Sequence, residues 1–226
     1  MSVLLAILIV YSALELLSWI VDSLEWGSET LPPPNISEIL TQNYKPEECD
    51  RKMIENCQNL LQRFFKEPVD LPMAQRIEQK MKGLSNEEKK QLLSEITLEA
   101  CKVMDVNVSQ VIFADDPCMG YYNFEENVIM FSNAYIAQDA YNVEIVKTVF
   151  HELKHAVQFR AIGRDGNVWG YSQETLMAWA GNYVDYISCS SDPEGYFKQP
   201  LEVDSFGFEC SVVPLPGFSS INNNVA

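Results

Sequence analysis

The stretch "IVKTVFHELKHAVQF", residues 145–159, constrains the fold more than any other part of the chain. Read with a helical period, Ile145, Val146, Val149, Phe150, Leu153, Ala156, Val157 and Phe159 wrap most of the circumference. A helix that is apolar nearly all round belongs inside a core, so other elements must pack on several of its sides. Within it lie His151 and His155, the only two histidines of the chain, with Glu152 directly after the first. Burying three such groups together is unfavourable unless each finds a hydrogen-bond partner or an ion.

H-E-x-x-H on a helix carries a definite chemistry. Positions four apart are neighbours, so both imidazoles turn to one side. Neutral imidazole binds Zn²⁺ well, and the intervening Glu152 can reach a water on the metal. That glutamate then takes the proton of the water as it attacks a carbonyl. A catalytic zinc needs a third protein ligand and keeps one position open. With no third histidine in the chain, a carboxylate is expected, or a cysteine less readily. Glu174, in "YSQETLMAW", lies 19 residues after His155. Glu202 and Asp204 lie in "YFKQPLEVDSFGF", where Pro200 suits a first helical turn and Phe206 and Phe208 can anchor the helix beyond. Asp204 stands two residues after Glu202 and so faces roughly the other way, a place from which it can orient a neighbour.

The period of the chain changes around this helix. Upstream, helical spacing predicts helices over about 46–66, 72–82 and 85–104, the last opened by a capping box of Ser85 and Glu88. Next, "VNVSQVIFADD" and "GYYNFEENVIMFS" are rich in β-branched and aromatic residues, which predicts a strand near 108–114 and a hairpin over 120–131. Helices are expected again at about 142–161, 172–189 and 200–212, joined by connections such as "GRDGN" and "SSDPEG". The expected class is α+β, a small sheet followed by helices. The expected division is a helical region over 36–104, a catalytic unit over 105–213 and a tail over 214–226.

Before these comes "VLLAILIVYSALELLSWIV", residues 3–21, whose single charge is Glu15. Nineteen residues at 1.5 Å each nearly span a hydrocarbon core, so an apolar helix over 1–26 is expected to anchor the chain to a membrane. A cleaved signal or a docking helix are the other readings of such a run. "GSETLPPPN" breaks it, and residues 27–35 are read as a linker.

Charge excludes one class of partner. With 16 basic against 32 acidic residues the net charge is −16, so a nucleic acid would be repelled. The six cysteines form no C-x-x-C pair and indicate no structural zinc ribbon.

Taken together, "GYYNFEENVIMFSNAYI", "VFHELKHAVQ" and "YFKQPLEVDSFGF" resemble the ImmA/IrrE-like zincin metallopeptidases, a family of small gluzincins, over about residues 108–212. In that family a later helix reads P-x-E-x-(D/E)-A-x-x-F. Here Ser205 stands for the alanine and Phe208 for the aromatic residue, so the resemblance puts Glu202 on the ligand position. It implies a zincin-like fold and a zinc-dependent endopeptidase acting on a protein or peptide, with His151, His155 and Glu202 on the metal and Glu152 as general base. A non-catalytic zincin-fold binding module, or a hydrolase of some other amide, are the alternative readings. Two accessory expectations follow from the residues themselves: Tyr196 or Tyr183 as donor to the oxyanion of the tetrahedral intermediate, and 127–133 as an edge strand or a core strand.

Overall fold

The structure, a computed structural model, describes residues 36–163 and 166–214. In chain order it contains α1 (Ile36–Asn43), α2 (Glu48–Phe64), α3 (Met73–Lys82) and α4 (Asn86–Met104), then β1 (Gln110–Ala114), β2 (Gly120–Asn123) and β3 (Val128–Ser132). There follow α5 (Asn133–Ile136), a 3-10 turn (Asp139–Tyr141), α6 (Asn142–Ile162), α7 (Gln173–Val184), α8 (Pro193–Lys198) and α9 (Pro200–Val212). The chain is thus α+β, as its two periodicities imply. The apolar run 3–21, the linker 27–35 and the tail beyond Pro214 lie outside the described residues. No helix among the described residues is long and apolar enough to cross a membrane.

Local chemistry explains most element ends. Ser85 accepts from the Glu88 amide while the Glu88 carboxylate accepts from the Ser85 amide, which satisfies two donors at the start of α4. At the hairpin tip the Asn123 carboxamide accepts from the Glu125 and Glu126 amides, and Asn127 takes the left-handed conformation at φ 56°. Two expectations need correction. The helix expected over 172–189 ends at Val184, and a further helix, α8, occupies the segment read as a connection. Asp192 makes α8 possible, because its carboxylate accepts from the Gly195 amide with Pro193 in the first turn.

The sheet has the order β1-β3-β2, with β1 parallel and β2 antiparallel to β3. Val128–Ser132 is therefore the central strand, buried at every position, and the edge-strand reading of 127–133 gives way to the core one. The edge beside α6 belongs to β2 instead. There Gly120 allows the close approach: a Cβ would lie 2.8 Å from Thr148 Cγ2 and 2.9 Å from the Met130 carbonyl oxygen.

α6 lies at the centre, with Ile145, Val146, Val149, Phe150, Leu153 and Val157 all fully buried. At about 1.5–3 kcal/mol for each such side chain, these six supply roughly 9–18 kcal/mol before conformational entropy is counted. One continuous core joins Cys57, Leu61, Ile77 and Leu93 of α2–α4 to Phe131, Phe150 and Phe208. The helices α2–α4 and the stretch after 105 therefore share a core. A smaller cluster packs Ile39, Leu40 and Tyr44 on Val203 and Cys210, and Gly207 leaves the space that the Tyr44 ring fills.

Candidate metal centre

α6 and α9 pack closely and bring three of the expected residues to one point. The Nε2 atoms of His151 and His155 are 3.1 Å apart. Glu202 closes the triangle, with Oε2 3.3 Å from His151 Nε2 and Oε1 3.3 Å from His155 Nε2. Glu202 is fully buried, His151 is 6% exposed, and the His155 side chain is 21% exposed. Glu174 is exposed on the first turn of α7 and is not part of this group. Among the described residues no other cluster of three or more His, Cys, Asp or Glu side chains has such a convergence.

The hydrogen bonds behind the rings determine which atoms face inward. Gln158 donates Nε2 to the Leu201 carbonyl at 3.0 Å and to Asp204 Oδ2 at 2.7 Å. A carbonyl can only accept, so the amide oxygen of Gln158 must be the atom turned toward His155 Nδ1, 2.8 Å away. His155 Nδ1 therefore carries a proton. His151 Nδ1 has Glu209 Oε2 at 3.3 Å, a carboxylate that also only accepts. With Nδ1 of His155 as donor, its neutral ring turns the Nε2 lone pair toward His151 and Glu202. His151 Nδ1 and Glu202 Oε2 are both buried without a hydrogen-bond partner.

Such a convergence repels itself unless a positive charge sits in its middle. Burial disfavours the charged form of His151, but Glu202 and Glu209 outweigh it and raise its pKa well above the ordinary 6.5. Burial likewise pushes the Glu202 carboxyl up, and the two imidazoles pull it below the usual carboxylate range. A single proton can satisfy one pair of these atoms, whereas a metal ion can take one atom from each of the three residues. The two nitrogens and one carboxylate oxygen lie within 4.8 Å of one another, so the group could hold a metal ion.

Glu152 points to the same region. It is 6% exposed, and burial raises its pKa above the ordinary range against the pull of the two imidazoles. Tyr186 donates its hydroxyl to Glu202 Oε1 at 2.7 Å, and the Tyr196 ring meets that of Tyr186 edge-on, centroids 6.2 Å apart. Tyr183, the other expected donor, instead packs against Phe124 and Phe159 with centroids 5.6 and 5.8 Å away. Phe206 covers one side, its ring 4.5 Å from that of His151.

Sequence reasoning missed several of these groups. Glu209 follows Glu202 by two helical turns and so shares its face, a signal that could have found it. Gln158, three residues after His155, was legible on the same ground. Tyr186 lies beyond the end of α7, where no periodicity places it. All six cysteines are free thiols, none of them at the centre.

No family model, curated protein or solved structure matches this chain.

Proposed function

We propose that the chain is a zinc-dependent metallopeptidase of zincin type, with His151, His155 and Glu202 as ligands and Glu152 as general base. The observation that carries this reading is the convergence of two Nε2 atoms 3.1 Å apart with the oxygens of one buried carboxylate, each 3.3 Å from one of them, the His155 ring being held through Nδ1 by Gln158. A zinc ion bound there supplies a Lewis acid that polarises a scissile carbonyl and acidifies a water.

The residues of the chain do the rest. Glu152 accepts the proton of the attacking water and passes it to the leaving amine. Its pKa, raised by burial, suits a group that must both take and give a proton. Tyr186 brings a hydroxyl donor to the same point, so it can bond an oxyanion forming there. β2 has β3 on one side only and lies against α6, which suits an extended peptide laid along it.

The test combines metal analysis with hydrolysis. Purified protein should hold about one zinc per chain, and a chelator should abolish cleavage of an unstructured protein substrate. Glu152→Gln should keep the zinc and lose on the order of 10²–10⁴ in rate. Full zinc with full activity in Glu152→Gln would remove the base from the mechanism. Zinc without cleavage of any peptide would instead favour a binding module or an amide hydrolase of another class.

A further inference from the structure

Lys154, inside the H-E-x-x-H helix, is fully buried, and its ammonium has two carboxylates on it: Asp50 Oδ1 at 2.5 Å and Asp204 Oδ2 at 3.0 Å. The Tyr171 hydroxyl lies 2.8 Å from the same nitrogen and donates to Asp50 at 2.7 Å. The rings of Tyr171, Trp179 and Phe208 surround the ammonium at 4.7, 5.1 and 5.4 Å. Asp50 is itself held: its Oδ2 accepts from the Glu47 amide at 3.0 Å, in the capping box that starts α2. Glu47 in turn accepts from the Ser172 amide and hydroxyl, which ties the start of α2 to the start of α7.

A buried lysine of this kind is weak ground for a stability role. Replacing a buried ion pair by apolar residues of similar volume is often neutral or stabilising. What the cluster does supply is direction. Asp204 is shared between Lys154 and Gln158, and Gln158 accepts from His155 Nδ1. A continuous chain therefore runs from Asp50 through Lys154, Asp204 and Gln158 to one imidazole of the candidate centre. Partners of this sort orient a ligating histidine and raise its basicity.

We infer that Asp50 and Lys154 are positioning residues for the metal centre, and that α2 forms part of the site through the path Asp50–Lys154–Asp204–Gln158–His155. The inference rests on the zinc reading above, but its first readout needs no metal. Asp50 anchors the Lys154 ammonium, and the ammonium fixes Asp204 Oδ2, the oxygen that accepts from Gln158. With Asp204 fixed there, the amide is held with its oxygen toward the ring, and Nδ1 keeps its proton.

The chain has two histidines, so their ring nitrogens can be resolved by NMR in the full-length protein. Wild type, Asp50→Asn and the Lys154→Met/Asp50→Asn pair would be compared. In the metal-free wild type the His155 Nδ1 proton should be protected from solvent exchange. In both variants that exchange should be faster, on the order of tenfold, with a shifted Nδ1 resonance. Zinc affinity should fall by about 10–100-fold, the range for lost partners of a ligating histidine. An unchanged His155 signal and unchanged zinc affinity, with only Tm altered, would overturn the inference. If wild type binds no zinc, the zinc reading fails and the metal-free ring signal still decides this one. Should neither variant fold, Asp204→Asn cuts the path at a side chain that is 15% exposed and is read in the same way.

Discussion

Glu209 Oε2 stands 3.3 Å behind His151 Nδ1, and Lys147 holds the other oxygen of that carboxylate at 3.1 Å. The second imidazole has an uncharged partner in the same position, the Gln158 amide at 2.8 Å. The two rings thus have different partners behind them, and a carboxylate raises the basicity of a nearby ring more than an amide does.

This asymmetry predicts unequal effects. Glu209→Gln should weaken zinc binding by about 10–100-fold, measured by competition with a chromophoric chelator. Lys147 would be left buried with Glu144 alone, so the variant should also melt lower. Unchanged affinity would mean that Glu209 serves Lys147 and not the ring.

Ligand assignment is tested by deletion. Glu202→Ala removes the only carboxylate in the triangle and should leave the purified protein without stoichiometric zinc. Glu174→Ala, at an exposed position on α7, should retain full zinc. The reverse pattern in elemental analysis would move the third ligand to Glu174.

A packing prediction concerns Gly120. Adding a methyl there presses on Thr148 of α6 and on the backbone of Met130, and backbone cannot turn aside. Gly120→Ala should lower unfolding free energy by about 1–3 kcal/mol in denaturant titration, the usual range for overpacking. A change near zero would show that β2 can lift away from the helix.

Asp139 gives a pH dependence away from the centre. The hydrogen bond from buried Lys89, 2.8 Å away, holds the Asp139 carboxyl below its ordinary 3.8. A depressed pKa contributes stability above the unfolded value and loses it as pH falls through the folded one. Wild type should therefore melt higher than Asp139→Asn at about pH 6, and the gap should close as pH drops below about 3.8. A gap that stays constant into that acid range would assign the effect to shape instead of charge.

Much of the architecture was legible because it is written in local chemistry. The all-round apolar pattern of 145–159 required a central helix, and α6 is one. Ser85 with Glu88 announced the start of α4, and Pro200 the start of α9. The spacing of His151 and His155 alone put both rings on one side. What lay beyond reach were relations between distant residues. Three carboxylates remained open for the third corner, and only the packing of α9 on α6 brought Glu202 to the imidazoles and left Glu174 at the surface. The parallel pairing of β1 with β3, which made Val128–Ser132 central, depends on contacts that periodicity does not encode. Asp50 read as one more charge at a helix start, because its partner Lys154 lies 104 residues further on. Period and capping follow from neighbours a few bonds away. A buried charge pair exists only once the whole chain has folded around it, and there tertiary structure alone decides.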